Sequence, residues 1–561
     1  MITAALAVSL VQLTEAQYHG ETQAGNQPQE EFNQWHMKDF GMDGIPGVGA
    51  DRAYNEIFAG KKSTTVVVAI IDSGTESFHP DLAENVWTNM DEVPSNGIDD
   101  DKNGYIDDVH GWSFIGGAGG DVSVDNLEFT RIYKGLKKRF ENVADAKSVA
   151  SADKSDYERY LRMKADYDHR MDDAQSNLAQ FNMISMLFDQ AKMTISQKLG
   201  KSDFTLEEVM MIDATGDEGL EASKGLVMMT FTEDLDAQLK EAKAHYETMA
   251  NYQLNLDFDP RYMVGDNYDD VNEKNYGNNH IDGPEAEHGT HVGGIVGAVR
   301  NGIGMNGIAR DVKLMIIRCV PNGDERDKDV ANSIRYAVDN GARIINMSFG
   351  KSYSPQKSAV DAAVKYAESK GVLLIHAAGN DSKDIDVAPN FPKDKYDDGG
   401  YCSTWMEIGA NGNSMEALAA DFSNYGKQGV DVFAPGVDIF STVPGSEYKD
   451  NSGTSMAAPV VSGVAAALMS YFPELSAKDV KEILMQSSVK FPKAEHTIYV
   501  ARNGMGKFFC KIFIGKKKAE GTNPNPREFK KKEIKFKNMS VTGGVVSLYE
   551  AAKLASTWQS K

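Results

Sequence analysis

Two separated parts of the chain, about 51–120 and 260–490, alternate short apolar runs with Gly-punctuated amphipathic stretches. TTVVVAIID (64–72), VKLMIIRCV (312–320), ARIINMSFG (342–350) and GVLLIHAAGN (371–380) are too apolar for half-buried strands and too short for core helices, so they predict buried strands. Between them, VANSIRYAVDN (330–340) and PQKSAVDAAVKYAESK (355–370) carry the helical period. Near-continuous apolar strands separated by helices predict an α/β domain, a parallel sheet with helices on both faces.

The stretch 126–257 has a different texture. It contains no proline, and neither Gly nor Pro interrupts Leu136 to Leu199. Tyr160, Tyr167, Ala174, Phe181 and Phe188 recur at every seventh position, with Met171 and Leu178 at alternate steps. That is the seam of a long helix. Thr205–Glu208 is a T-x-x-E capping box, and Leu235, Leu239, Ala242, Tyr246 and Met249 stripe a later helix. The segment predicts an all-α helical bundle inserted into the α/β domain, its stripes serving as core. The organisation expected is therefore a leader (1–16), an N-terminal arm (17–50), a first part of the α/β domain (51–125), the helical insertion (126–257) and a second part (258–561).

A third regime, about 497–538, is Lys-rich, and 545–556 reads as a closing helix. The lysines suit either an anionic partner or a solvated hairpin facing the chain's own carboxylates. The formal net charge of −23 argues against nucleic acid, which needs a basic footprint. Three cysteines, Cys319, Cys402 and Cys510, form no CxxC; buried thiols, or one bridge and one free thiol, account for them. The apolar start ITAALAVSLVQL resembles the hydrophobic part of a signal peptide cut after Ala16, although no Lys or Arg precedes Lys38. It is either that or an ordinary helix, and export is the reading adopted. No other run suggests a membrane span.

Four pieces carry chemistry. VVVAIIDSG ends a predicted strand with Asp72, where open α/β sheets build their sites. HGTHVGGIVGA starts a Gly-rich helix at His288; the spacing to His291 is too short for an H-E-x-x-H zinc site. NSGTSMAAP places Ser455 at the start of a helix, where unpaired N–H groups favour an oxyanion. HAAGN ends a buried strand with Asn380, an amide donor. Separately, D-x-D-x-N-G-Y from Asp99 through Asp101 and Asn103 to Tyr105 matches the start of an EF-hand-like calcium loop. His110 stands where the twelfth-position Glu belongs, so Asp107 or Asp108 must complete the shell; an acidic turn without an ion is the alternative. The acidic stretch 265–279 either holds another ion or is a polar loop delivering His288.

In the order Asp, His, Ser, the surroundings DSG, HGTHVxG and GTSMAAP resemble the three signatures of the subtilisin family of serine peptidases. SFHPDL, NMSFG, AAGN and DVFAPG recur where that family has them. The resemblance implies a serine endopeptidase acting on peptide or protein substrates. Ser455 is then the nucleophile, His288 the general base, Asp72 its orienting partner, and Asn380 with the Ser455 N–H the oxyanion hole. It implies that Ser348, Phe349 and Gly350 pair with the substrate backbone and, with Ala377, Ala378 and Gly379, line the primary specificity pocket. Small residues there permit a large apolar side chain. It also implies a second calcium loop, Val299, Asn301, Ile303 and Met305, with Asp81 as its distant carboxylate. The chain departs from the family in AAPVVSG after the serine and in the long Asp72–His288 separation. The segment before residue 51 is too short and polar to form a globular prodomain. The helical insertion is the expected substitute as folding chaperone or lid, in a secreted or cell-envelope protein. The rival reading is an inactive or catalytically incidental binding protein that acts through the insertion.

Overall fold

The computed structural model describes residues 34–232, 235–501 and 529–559. The leader, the arm before residue 34, Cys510 and the middle of the Lys-rich stretch lie outside the described residues. The chain divides into two compact units, one at Phe129–Phe258 and one containing the other described residues.

The second unit is built on a nine-stranded sheet: β1 Val66–Asp72, β2 Gly111–Ser113, β3 Val312–Arg318, β4 Ile344–Met347, β5 Leu373–Ala377, β6 Trp405–Asn411, β7 Val432–Pro435, β8 Val489–Lys490 and β9 Gly544–Val545. Their order across the sheet is β8-β9-β7-β6-β5-β4-β1-β3-β2. Only the β8–β9 pair is antiparallel; β1 pairs in parallel with β3, Val66 opposite Val312, and with β4, Val68 opposite Ile344. Alternation along β1 sorts its side chains between two cores. Val66, Val68 and Ile70 join one apolar cluster with Val292, Ile295, Val460 and Val464, while Ala69 and Ile71 join another with Val330, Ile334, Val360 and Val364. Helices α1 Glu287–Gly297 and α4 Thr454–Tyr471 thus cover one face, and α2 Asp327–Asp339 and α3 Lys357–Ser369 the other. This is the α/β arrangement expected from the pattern.

The apolar runs overshoot the strands at their ends. Ser348–Gly350 leave the ladder after β4, because that is where the backbone turns to its polar contacts described below. Helix α4 is long and apolar enough to cross a bilayer by length and composition, but 89% of its apolar window is buried. Its hydrophobicity is that of a central core helix. Cys319 and Cys402 are buried free thiols. At the Lys-rich stretch, Glu495–Ala501 and Phe529–Lys535 pair as an antiparallel hairpin.

The first unit contains one helix of 46 residues, Lys154–Leu199, about 69 Å long at 1.5 Å per residue. Tyr160, Ala174, Phe181 and Phe188 of the seven-residue seam are buried, and their buried companions are Met163, Asn177, Ile184 and Ala191. The companions lie at i+3, the other core position of a heptad; Met171 and Leu178 are only half-buried. Phe181, Ile184 and Phe188 pack on Leu239 and Ala242, and Ala191 and Ile195 on Val209, Ile212 and Val227. Thr205 and Glu208 form the reciprocal capping box.

Candidate active site

Asp72 is the last residue of β1 and is 1% exposed. Its Oδ1 accepts the Ser73 N–H at 2.7 Å and lies 2.7 Å from Nδ1 of His288, the second residue of α1. The next residue, Gly289, makes this approach possible. A Cβ there would stand 2.1 Å from the Gly74 carbonyl oxygen and 3.1 Å from Asp72 Cβ. With Nδ1 donating to the carboxylate, the neutral ring presents Nε2 as a lone pair. Burial opposes charge on the imidazole, but the Asp72 charge and hydrogen bond, with Glu287 behind them, outweigh it and raise His288 above its ordinary 6.5.

Ser455 is the second residue of α4. Its hydroxyl donates to the Ser348 carbonyl at 3.0 Å; among the described residues no hydrogen bond joins it to His288. Asn380 Oδ1 accepts both the N–H and the hydroxyl of Thr454, each at 2.9 Å, which fixes the amide with Nδ2 on the other side. A Cβ on Gly453 would lie 3.3 Å from that Nδ2 and 3.5 Å from the Ser455 nitrogen, so two donors converge beside Gly453. A buried chain supports them from beneath. Ser462 Oγ donates to Asn346 Oδ1, Asn346 Nδ2 to Ser348 Oγ, and Ser348 Oγ to the Ser455 carbonyl, each at 2.9 Å. Sequence reasoning missed Asn346 and Ser462; the available signal was a polar residue inside each of two apolar runs.

The expected pocket residues lie on two rims. Ser348, Phe349 and Gly350 follow β4, while Ala377 ends β5 and Ala378 and Gly379 follow it. Asn390 joins the rims. Its Nδ2 donates to the carbonyls of Ala377 and Ala378 at 3.3 and 3.1 Å, and its Oδ1 stands 2.9 Å from a Cβ on Gly350 and 3.8 Å from one on Gly379. Asn390, and His376 and Glu407 behind it, were also missed. They come from a loop and from adjacent strands whose pairing the sequence does not display.

In the acidic loop the expected Asp99 and Asp101 come together with Glu92, which the sequence reading did not include. Carboxylate oxygens of Glu92, Asp99 and Asp101 lie within 4.8 Å of one another, a donor set that fits a hard cation. Asp107 instead accepts the N–H groups of Asn96 and Gly97. Asp108 accepts from Asn89, Asn103 and the Tyr336 hydroxyl, and burial pushes it up to about 6. Asn103 Oδ1 takes the Tyr105 N–H. Glu92 reaches across the loop, its Oε1 accepting the N–H of Asp100 and its Oε2 that of Asp107. At the other loop, Val299 N–H donates to the Asp81 carbonyl and Met305 N–H to Asp81 Oδ2. Asn301 Oδ1 accepts the Ile303 N–H. Asp81 Oδ1 is buried without a partner, and burial pushes this carboxyl up to about 6. An orphaned buried carboxylate oxygen also fits a cation. Gln34 reaches this loop with Oε1 on the Asn306 N–H at 3.0 Å. Buried His291 bonds the Lys449 carbonyl through Nε2.

A model of the subtilase family matches residues 63–506. The chain is similar to a thermophilic serine proteinase of Bacillus sp. (strain AK1), 39% identical over 185 residues that make up 33% of this chain and 42% of that protein. It is 40% identical to thermitase of Thermoactinomyces vulgaris over 185 residues, 33% of this chain and 61% of thermitase. Against subtilisin DY of Bacillus licheniformis the identity is 36% over 204 residues, 36% of this chain and 70% of that protein. The chain spans about half the length of several of the relatives it matches.

Proposed function

Because this chain belongs to the subtilase family, we propose that it is a secreted or cell-envelope serine endopeptidase. Ser455 Oγ turns from the Ser348 carbonyl to Nε2 of His288, gives up its proton there and attacks the peptide carbonyl. Asn380 Nδ2 and the Ser455 N–H take the oxyanion of the tetrahedral intermediate. His288 then protonates the leaving amine, and water resolves the acyl-enzyme by the same steps in reverse order. Asp72 holds the ring in the tautomer that leaves Nε2 free and stabilises the imidazolium. Ser348–Gly350 and Ala377–Gly379 bind the substrate on the acyl side.

The observation that carries this reading is the convergence of Asn380 Nδ2 and Ser455 N–H beside Gly453, at the start of a helix whose second residue is the serine. A fluorophosphonate probe tests it. Wild-type protein should be labelled and Ser455→Ala should not; wild-type protein that neither takes the label nor cleaves casein would remove the reading.

Calcium is the ion we propose for the acidic loop, held by Glu92, Asp99 and Asp101, and for the second loop. There Asp81 Oδ1 would hold it together with the loop residues Val299, Asn301, Ile303 and Met305, and Gln34 would add an oxygen from its contact with Asn306. Bound calcium would supply charge neutralisation and cross-linking of loops, with no part in the chemistry.

A further inference from the structure

We propose that the primary specificity pocket prefers an acyl-side residue ending in N–H donors, lysine or arginine, over an apolar one. The inference rests on the peptidase reading and deepens it. The small rim residues suggested room for a large apolar side chain, but what stands behind them is polar.

His376 on β5 and Glu407 on β6 are direct partners in the parallel register, and both are buried. The Glu407 carboxylate accepts from His376 Nδ1 at 3.0 Å, Asn390 Nδ2 at 3.0 Å and Trp405 Nε1 at 2.9 Å. Three donors converging on one side chain is the pattern of an acceptor-only carboxylate. Each donor spent on Glu407 fixes what its owner shows on the far side. Asn390 has both amide hydrogens committed, to Glu407 and to the rim carbonyls, so its Oδ1 faces the gap between Gly350 and Gly379. His376 bonds Glu407 through Nδ1, and its Nε2 is buried without a partner 3.6 Å from a Cβ on Gly350. The pocket floor therefore presents the Asn390 Oδ1 acceptor, with the Glu407 carboxylate behind it.

An apolar side chain reaching this floor leaves that acceptor unpaired, and a carboxylate faces Glu407. An ammonium or guanidinium supplies donors and the matching charge. Asn390 is the residue that would touch the substrate side chain; His376 and Glu407 are positioning residues acting through it and through charge.

The test uses the full chain and peptides identical except at the acyl-side residue: lysine, arginine, norleucine, phenylalanine, glutamine and glutamate. Norleucine is lysine without the ammonium, so the lysine-to-norleucine ratio in kcat/KM isolates the donor. The expected ratio is at least about 10, since a site built for a donor rejects an analogue lacking it. Glu407→Gln and Asn390→Ala should each pull that ratio toward one. Asn390 is only half-buried, so its variant should fold even if Glu407→Gln does not. Phenylalanine, norleucine, glutamine or glutamate cleaved fastest, or a ratio unmoved in Asn390→Ala, overturns the proposal. Fluorophosphonate labelling with an apolar preference would remove only this inference; absence of both label and cleavage would remove the peptidase reading and this inference with it.

Discussion

The Ser455 hydroxyl is held by the Ser348 carbonyl rather than by His288, so in the proposed mechanism it must rotate about its own side chain before it can act as the nucleophile. Ser455→Ala should cost roughly 10⁶-fold in kcat and Asn380→Ala roughly 10²–10³-fold, since one oxyanion donor survives. Those magnitudes are subtilisin's; turnover by a purified Ser455→Ala protein within tenfold of wild type would reassign the nucleophile. In the proposed mechanism His288 sets the acid limb of the pH profile. Its native pKa is raised, so protonation stabilises the fold fully below its unfolded value, about 6.5. That contribution is lost as pH rises through the native value. Catalysis needs the opposite state, the neutral ring, so kcat/KM should fall on acidification with a midpoint above 6.5. A midpoint near 4 would point to a carboxylate base.

Between elements, the site depends on how closely α1 meets the end of β1. Gly289→Ala puts a methyl group 2.1 Å from the Gly74 oxygen, and both are backbone-bound, so the helix must move. Overpacking of this kind costs about 1–3 kcal/mol, and the displacement breaks the 2.7 Å His288–Asp72 contact. We expect a lower melting temperature with nearly complete loss of peptidase activity; a fully active variant would mean the helix is more pliable than its packing suggests. The loops make a separate prediction. Chelation should lower the melting temperature, because an ion bound only by the native state stabilises it by mass action, about 4 kcal/mol at a thousandfold excess over Kd. Glu92→Gln should weaken calcium binding, and an unchanged melting temperature after the metal is stripped would sink both calcium proposals. These elements also show where the sequence was legible. Strands β1, β3, β4 and β5 could be read because a strand buried on both faces must be apolar throughout, and Asp72, His288, Asn380 and Ser455 stood out by the family-like motifs around them, Asp72 at the end of β1, His288 and Ser455 near the starts of their helices and Asn380 three residues past β5. Glu92, Asn390, Glu407 and Gln34 could not, because each reaches its partners across a loop or a strand pairing that leaves no local periodicity.

Across the whole molecule, the β1–β3 pairing joins Val66 to Val312 and must close a loop with the helical unit inside it. Loop closure alone gives that unit little leverage, since doubling a loop costs only about 0.6 kcal/mol. Each unit also has apolar clusters of its own, Phe181, Ile184 and Phe188 with Leu239 and Ala242 in the helical unit and Val66, Val68 and Ile70 with Val292 and Val460 in the other. A role for the helical unit as folding chaperone or lid, proposed from its position between Asp72 and His288, must therefore appear in kinetics or turnover and not in equilibrium stability. Replacing 129–258 by a short flexible linker should leave the melting temperature of correctly folded α/β protein within a few degrees of the parent. The loss should fall on refolding yield from denaturant or on control of cleavage. Circular dichroism melts, refolding yield counted by fluorophosphonate label and kcat/KM on one peptide separate the outcomes. A collapsed melting temperature would mean that the two cores are one cooperative unit after all. Equal yield and equal turnover would mean that the helical unit neither assists folding nor gates the site, leaving recognition of another molecule as the role to test for its long Lys154–Leu199 helix.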